Sequence, residues 1–283
     1  MVDIYNEDCL EGMKRISDGS VDMILTDLPY NLTACKWDLT PIDIAALWEQ
    51  FKRILKPCCS AVMFASGKFT YKLVSSNFDW YKYKWIWVKN TPTMFVQAKN
   101  APMRKFEEIL VFSDGAITHP TVTKRRMKYN PQGLIPCEIL KNNDGKDQLS
   151  QLRPGKRGKT WTKTGENATH TQIHNLHPEN TYTQTHTGYP SDVLKFKTLA
   201  NDGRFHPTQK PTDLLEYLIR TYTNEGETVL DATMGSGSTG VAAVNTNRDF
   251  IGFELDENFF KVAQKRISEA VAQKEQSLFG LVT

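Results

Sequence analysis

The sequence lacks any uninterrupted apolar run that approaches the roughly 20 residues of a membrane-spanning helix. It also lacks the basic and apolar start of a signal peptide, because residues 1–19, MVDIYNEDCLEGMKRISDG, are polar and acidic. Cysteine is scarce, with five residues and no C-x-x-C pair. We therefore expect a cytoplasmic protein with reduced thiols, no disulfide framework and no membrane partner.

Ligands for a metal ion are also sparse. Four of the six histidines lie in one polar stretch, at His170, His174, His177 and His186, and their spacing invites a metal hypothesis. No cysteine accompanies them, and no helix or strand pattern fixes their geometry. We predict no metal site.

A large net charge is absent too, but the charge is unevenly distributed. The whole chain carries a formal +3. Residues 120–163 contain eleven basic and three acidic side chains, a formal +8, which leaves −5 for the rest of the chain. A basic segment on an acidic body favours a polyanionic partner, although a solvated loop that is merely basic is the alternative.

Both ends of the chain alternate short apolar runs with helical patterns. The runs are too short and too continuously apolar for amphipathic helices, and they suit strands covered on both faces. We predict seven strands, at residues 4–6, 21–26, 60–66, 83–89, 107–113, 228–232 and 249–255. Such alternation indicates an α/β fold whose mainly parallel sheet carries helices on both faces.

Three longer helices follow from periodicity and capping signals. The first covers residues 41–55 and is closed by Pro57. The second begins at a Thr212/Asp213 cap, with Glu216 three residues after the aspartate, and the third begins at Asp256.

Residues 114–203 differ in composition from the two ends, since they are rich in Thr, Asn, Gln, His and Gly and have few periodic apolar positions. A structureless loop of that length is unusual inside a compact domain. We interpret this segment as an inserted binding module between two halves of one domain, at 1–113 and 204–283.

The segment TVLDATMGSGSTGVAAVN predicts a strand, a glycine-rich turn and a helix. Gly235 and Gly237 would let the backbone approach a ligand at the helix amino terminus, and Glu254 ends the next strand, where it could hold two ribose hydroxyls. A tight structural turn is the alternative, but the flanking strands and the acid favour nucleoside binding.

The acid that ends this strand restricts the nucleoside. In a dinucleotide fold the first glycine directly follows the strand, whereas here Asp231 ends it and Ala-Thr-Met precedes Gly235. A carboxylate would repel a pyrophosphate but suits a cationic ligand. S-adenosylmethionine carries an ammonium and a sulfonium group and no phosphate.

With these residues the chain resembles the family of DNA amino-methyltransferases that act on adenine N6 or cytosine N4. The catalytic motif of that family matches Asp27-Leu28-Pro29-Tyr30, and its glycine loop matches residues 231–237. Shorter matches are EDCLEGM at 7–13, WVKN at 87–90 and HPTQKP at 206–211. The order, with the catalytic motif before the cofactor loop, is similar to the β class. The resemblance implies a Rossmann-like methyltransferase fold in which 114–203 is the target-recognition region.

The resemblance also implies a catalytic site. The Asp27 carboxylate and the Leu28 carbonyl would accept hydrogen bonds from the target amino group, Pro29 would hold the turn, and Tyr30 would stack on the flipped base. An acid at position 27 is similar to the adenine-specific members. Leu28 stands where the family has proline, and Ala232-Thr233 stand where it has Pro-Phe.

For S-adenosyl-L-methionine the resemblance implies a larger set of contacts. Asp8 would lie near the adenine amino group or simply cap a helix, and Lys210 with Thr212 would meet the methionine carboxylate or belong to a plain loop and cap. The predicted cofactor-binding residues are Asp8, Cys9, Asp27, Lys210, Thr212, Asp231, Ala232, Thr233, Gly235, Ser236, Gly237, Ser238, Thr239 and Glu254.

Double-stranded DNA is the implied partner. Phosphate contacts are expected from basic residues of the middle region: Lys124, Arg125, Arg126, Arg153, Lys156, Arg157 and Lys159. A homodimer and a cognate restriction endonuclease are candidate protein partners, and a prokaryotic or phage source is expected.

The expected function is site-specific adenine-N6 methylation of DNA. The alternatives are cytosine-N4 methylation and a catalytically impaired DNA-binding protein on the same scaffold. A nicotinamide dehydrogenase is suggested only by the literal glycine pattern, and Asp231 argues against it.

Overall fold

The structure is a computed structural model that describes residues 1–30, 42–118, 123–142, 181–198 and 209–279. It divides into two compact units. One contains Met1–Gln132 with Pro190–Thr283, and the other contains Gly133–Tyr189. The chain therefore leaves the first unit at residue 133, later than the change in composition near residue 114.

The strands, in chain order, are β1 Val2–Tyr5, β2 Val21–Thr26, β3 Leu55–Ala65, β4 Tyr81–Thr93, β5 Arg104–Ser113, β6 Ile135–Asn142, β7 Thr181–Thr187, β8 Val193–Lys195, β9 Thr228–Asp231 and β10 Asp249–Phe253. Eight of them form one sheet in the order β1-β10-β9-β2-β3-β5-β4-β8. Strand β5 is antiparallel to both its neighbours, and the other pairs are parallel. The second unit contains the antiparallel pair β6-β7.

The helices are α1 Cys9–Met13, α2 Ile44–Ile54, α3 Lys68–Ser76, α4 Thr212–Tyr222, α5 Ser238–Asn245 and α6 Glu257–Phe279, with a short 3-10 helix at Phe95–Gln97. Their buried side chains fall into two clusters, one formed with α1, α2 and α3 and the other with α4, α5 and α6. No helix of the described ranges combines the length and apolar character needed to cross a bilayer.

Strand β2 shows why the sheet is covered on both faces. All six of its residues are buried, and successive side chains of a strand point to opposite faces. Met23 and Leu25 accordingly belong to one apolar cluster, and Ile24 belongs to the other. The continuous apolar run in the sequence is thus the pattern of a doubly covered strand.

The predicted α/β class with a mainly parallel sheet is confirmed, and all seven predicted strands are present. The sheet has eight strands rather than seven, because β8 pairs with β4 as an extra edge strand. Its three residues, Val193–Lys195, are too few to show a periodic pattern.

The boundaries of α2 and the cap of α4 differ from the prediction. Helix α2 ends at Ile54, and β3 then runs through Pro57, so the helix ends before the proline is reached. The predicted capping box of α4 does not form, since Pro211 precedes the helix without a side-chain cap. Glu216 instead accepts hydrogen bonds from Asn245 and Arg220.

Candidate active site

A cavity of about 560 Å³ lies at the carboxyl edge of the sheet, where the residues that follow β1, β2, β9 and β10 meet. Ligands of open α/β sheets bind at this edge. The cavity is lined by most of the residues predicted for catalysis or cofactor binding: Asp8, Cys9, Asp27, Pro29, Lys210, Asp231, Ala232, Thr233, Gly235, Ser236, Ser238, Thr239 and Glu254.

Asp27 directly follows β2 and is held by hydrogen bonds to both carboxylate oxygens. Its Oδ1 accepts from the Tyr30 hydroxyl at 2.8 Å, and its Oδ2 accepts from Lys210 Nζ. Burial raises the pKa of Asp27 above its ordinary value, the charge of Glu107 adds to that rise, and Lys210 opposes it. The result is a partly buried, oriented acceptor at the edge of the cavity.

The rest of the Asp-Leu-Pro-Tyr turn supports this carboxylate. Leu28 is buried in the apolar cluster with Phe69, whereas Pro29 lines the cavity. The Tyr30 ring stacks on Phe69 with centroids 4.7 Å apart and an interplanar angle of 28°. Packing of Leu28 and Tyr30 thus fixes the turn, and neither side chain lines the cavity.

Asp231 ends β9 beneath the glycine loop. Its Oδ2 accepts from the Thr239 hydroxyl at 2.6 Å, and its Oδ1 accepts from the Thr233 amide at 3.1 Å. Burial raises its pKa to about 6, although these hydrogen bonds oppose the rise. A buried carboxylate without a cationic partner in the described part of the chain is suited to a cationic ligand.

Thr233 joins the two functional loops. Its hydroxyl donates to the main-chain carbonyl of Asp27 at 3.1 Å and lies 3.0 Å from the Thr26 hydroxyl. The glycine loop is therefore bonded directly to the turn that carries the catalytic acid. Sequence reasoning assigned Thr233 to the cofactor alone, because nothing in a linear sequence pairs residues 26 and 233.

The two glycines of the loop have different roles. Gly235 has a φ of +53°, and a Cβ there would meet nothing within 4 Å, so the backbone is open toward the cavity it lines. Gly237 has a φ of +76°, and a Cβ there would lie 2.9 Å from Ala263 of α6. Gly237 therefore serves the packing of α6 and does not line the cavity.

Glu254 follows β10 and is oriented by main-chain donors. Its Oε2 accepts from the Gly235 amide at 2.8 Å, and its Oε1 accepts from the Asp256 amide at 2.8 Å. Burial raises its pKa above the ordinary value. The carboxylate keeps acceptor capacity for ligand hydroxyls, because each of its oxygens has two lone pairs.

Asp8 and Cys9 line the side of the cavity formed after β1. Asp8 caps α1, with Oδ1 accepting from the amides of Leu10 at 2.8 Å and Glu11 at 3.2 Å. The Cys9 side chain is buried, and burial raises the pKa of its thiol to about 12. Cys9 is therefore a neutral packing group here.

Thr212 differs from its predicted place. It begins α4 and does not line the cavity. Trp87 is buried in the sheet, as expected from its strand, and its indole N–H donates to the Phe196 carbonyl at 2.9 Å.

Sequence reasoning missed several residues of the site. Glu107, on β5, forms ion pairs with Lys89 and Lys210. Leu255, Asp256 and Phe259 line the cavity where β10 leads into α6. The signal for Leu255, Asp256 and Phe259 was their position just after a parallel strand, and for Glu107 it was an acid at the start of an apolar strand run.

Three of the predicted DNA-binding residues lie in the described chain, and all are exposed: Lys124, Arg125 and Arg126. Arg125 forms an ion pair with Asp114 at 2.5 Å. Lys128, counted in the basic segment, pairs with Glu227 at 2.5 Å and so serves the fold.

Arg153, Lys156, Arg157 and Lys159 lie outside the described residues, as do His170, His174 and His177. Within the described ranges no group of three or more metal-ligating side chains occurs.

A family model described as DNA methylase, of the N6/N4 type, matches residues 21–265. The chain belongs to this DNA methylase family. The family resemblance drawn from the motifs is therefore confirmed, and S-adenosyl-L-methionine, the methyl donor of the family, is the cofactor.

Two relatives match the methylase along most of its length. Type II methyltransferase M.HindIII of Haemophilus influenzae is 26% identical over 303 residues, covering 94% of this chain and 96% of that protein. Type II methyltransferase M.BglII of Bacillus subtilis is 26% identical over 287 residues, covering 94% and 68%.

Solved structures share the fold. The M1.HpyAVI–SAM complex has a TM-score of 0.56 at 22% identity and covers 94% of this chain and 99% of that chain. The PvuII DNA methyltransferase, described as cytosine-N4-specific, has a TM-score of 0.58 at 14% identity and covers 96% and 92%. The Rossmann-like fold is confirmed.

Proposed function

We propose that this methylase transfers a methyl group from S-adenosyl-L-methionine to the exocyclic N6 of a flipped-out adenine at specific sites in double-stranded DNA. The observation that carries the proposal is one shared cavity. Asp27 of the catalytic turn lines it together with Asp231 and Glu254, the acids suited to the cofactor. One site can thus hold the methyl donor and the amino acceptor side by side.

The proposed chemistry depends on hydrogen-bond acceptors. An exocyclic adenine nitrogen is a weak nucleophile because its lone pair is delocalised into the ring. The Asp27 carboxylate and the Leu28 carbonyl accept hydrogen bonds from its two N–H groups, which lets the nitrogen pyramidalise. Pro29 holds the turn. One face of the Tyr30 ring packs on Phe69, so the proposed stacking on the base, which must first leave the duplex, would use the other face.

S-adenosyl-L-methionine supplies the electrophilic methyl group, so the N–CH₃ bond forms as the S–CH₃ bond breaks, with positioning contributing much of the rate. The amino group then loses one proton. Asp27 is placed to receive it, and the raised pKa caused by burial makes this carboxylate a better proton acceptor than an exposed one.

The cofactor contacts are proposed from the chemistry of the cavity. Asp231 meets the ammonium group, Glu254 holds the ribose hydroxyls, and Asp8 meets the adenine amino group. Leu255 and Phe259 provide apolar surface for the adenine ring. The other cavity-lining residues predicted from the sequence remain proposed contacts of the cofactor. Thr212 does not line the cavity, and its proposed role is limited to beginning helix α4.

Adenine is preferred over cytosine for two reasons. Position 27 is an acid, which is similar to the adenine-specific members of the family. In addition, a protein named DNA adenine methyltransferase YhdJ, of Escherichia coli, is 36% identical over 88 residues, which is 30% of each chain. Cytosine N4 is the alternative, and it would use the same two acceptors.

A second candidate is an inactive DNA-binding scaffold, favoured by Leu28, Ala232 and Thr233 at positions where the family has other residues. Calorimetry separates the two. An active methylase binds S-adenosyl-L-methionine, whereas an impaired scaffold binds DNA without binding the cofactor.

Transfer of tritium from labelled cofactor to duplex DNA tests the proposal. We expect label in DNA with the wild-type protein and none with Asp27→Ala. The matched control is Asp213→Ala, an exposed acid on α4, which should retain wild-type activity. Label in a protein or another polymer instead of DNA would contradict the proposal.

The middle region is proposed to recognise the target sequence, and a homodimer and a cognate restriction endonuclease are proposed partners. The relatives named type II methyltransferases favour a restriction–modification setting. Sedimentation with and without duplex DNA tests the dimer.

A further inference from the structure

Four charged side chains of alternating sign lie along the carboxyl edge of the sheet. Asp27 follows β2, Glu107 lies on β5 just before its apolar part, and Lys89 lies on β4. Lys210 Nζ donates to Asp27 Oδ2 and lies 3.4 Å from Glu107 Oε2. Lys89 Nζ in turn donates to Glu107 Oε1. The ammonium of Lys210 is therefore shared by two carboxylates.

Lys210 cannot leave Asp27 for solvent at low cost. It is only 8% exposed, and its Nζ lies 4.8 Å from the centre of the Phe64 ring. A buried ammonium requires a carboxylate partner, because taking an unpaired charge out of water is strongly unfavourable. The partner within reach is Glu107.

Glu107 has an unused acceptor at that point. Its Oε2 is buried and has no hydrogen bond among the residues that the structure describes, although it forms the 3.4 Å ion pair with Lys210. A short movement of Nζ toward Oε2 would complete that bond. A buried acceptor without a hydrogen bond calls for an explanation, and a second position of the Lys210 ammonium provides one.

The reaction proposed above gives this second arrangement a purpose. While Lys210 is bonded to Asp27 Oδ2, it occupies an acceptor position and neutralises the charge that should polarise the target amino group. We propose that Glu107 is a positioning residue that takes the Lys210 ammonium from Asp27 when the target amino group enters. The two carboxylates and two ammonium groups still sum to zero charge after this shift. Asp27, no longer paired with Lys210, then accepts a hydrogen bond from the target amino group with its full negative charge.

This inference rests on the proposed function, so the test begins with wild-type transfer of labelled methyl groups to plasmid DNA. Absence of that transfer would refute the function itself. With transfer established, single-turnover rates are measured at saturating cofactor and normalised to the concentration of cofactor-binding sites. This normalisation removes any loss of folded protein in a variant.

Glu107→Gln should lower the single-turnover rate about tenfold, because Asp27 is then the one carboxylate of the protein, among the described residues, that pairs with Lys210. The double variant Glu107→Gln/Lys210→Met should be faster than Glu107→Gln alone, since no ammonium competes for Asp27. A purely structural role for Glu107 predicts no such rescue. A Glu107→Gln rate equal to wild type, or a double variant no faster than Glu107→Gln, overturns the proposal.

Discussion

Asp231 shows how a single residue can be costly for folding and useful for binding. Its pKa is raised to about 6 from an ordinary value of 3.8, because burial disfavours the charged form. The folded protein therefore binds the proton more tightly than the unfolded chain does. Protonated Asp231 therefore adds to the free energy of unfolding. This contribution is at its maximum below about pH 4 and is lost as the pH rises through about 6.

We predict that Asp231→Asn stabilises the protein at pH 7.5 by up to about 2–3 kcal/mol, because a buried charge is removed. The asparagine oxygen can still accept from the Thr233 amide, and its NH2 group can donate to the Thr239 hydroxyl. The gain should vanish near pH 4. Urea unfolding of both proteins at the two pH values measures it. A gain in stability of the same size at both pH values would contradict the raised pKa of Asp231.

The same variant should bind S-adenosyl-L-methionine at least about tenfold more weakly at pH 7.5, since the ammonium loses its carboxylate. Wild-type affinity should fall between pH 7 and pH 5 as Asp231 takes up its proton, and the affinity of Asp231→Asn should not follow that change. Titration calorimetry provides both curves.

At the scale of elements, the glycine loop separates ligand contact from packing. Gly235 and Gly237 occupy the same sequence motif, yet the first is open toward the cavity and the second lies against α6. Sequence alone treats them alike, because the packing partner Ala263 is far along the chain.

We predict different effects of alanine at these two positions. Gly237→Ala should lower the free energy of unfolding by about 2–4 kcal/mol through strain and collision with α6. Gly235→Ala should cost about 1 kcal/mol of stability and mainly weaken cofactor binding, because its methyl group enters the cavity. Thermal unfolding of the two variants measures their stability, and titration calorimetry measures their affinity for the cofactor. Equal losses of stability would contradict this division of roles.

Helices and strands with a clear hydrophobic pattern could be predicted from the sequence, whereas the tertiary contacts between them could not. Strands β2 and β9 are short apolar runs, and an aspartate marks the end of each. Helix α6 begins at the predicted residue, Asp256, whose carboxylate accepts from the amides of Asn258 and Phe259. The short strand β8 and the pairing of Glu107 with Lys210 depend on tertiary neighbours, which no local pattern encodes. The motifs therefore located most of the residues that line the cavity, whereas the supporting ion pairs could not be predicted from the sequence.

At the scale of the whole molecule, the uneven charge predicts how DNA is held. Lys124 and Arg126 are exposed, whereas the charge of Arg125 is compensated by Asp114. Lysine and arginine bound to phosphate release counterions, so each contact steepens the salt dependence of binding.

We predict that Lys124→Ala/Arg126→Ala weakens DNA binding and reduces the slope of log K against log salt concentration by about 2. The control is Lys261→Ala/Lys265→Ala, two exposed lysines of α6, which should leave the slope nearly unchanged. Fluorescence anisotropy over a salt series gives both slopes. Identical effects of the two double variants would mean that the residues near 125 contribute net charge only.

We propose above that the Asp27 turn directs a methyl group from S-adenosyl-L-methionine to adenine N6. The most direct measurement is nucleoside chromatography of duplex DNA methylated with labelled cofactor and then digested completely. We predict that the label elutes with N6-methyldeoxyadenosine and that Asp27→Ala abolishes it while Asp213→Ala does not. Label in N4-methyldeoxycytidine would contradict the choice of base, and labelled DNA from Asp27→Ala at the wild-type rate would contradict the role of the turn.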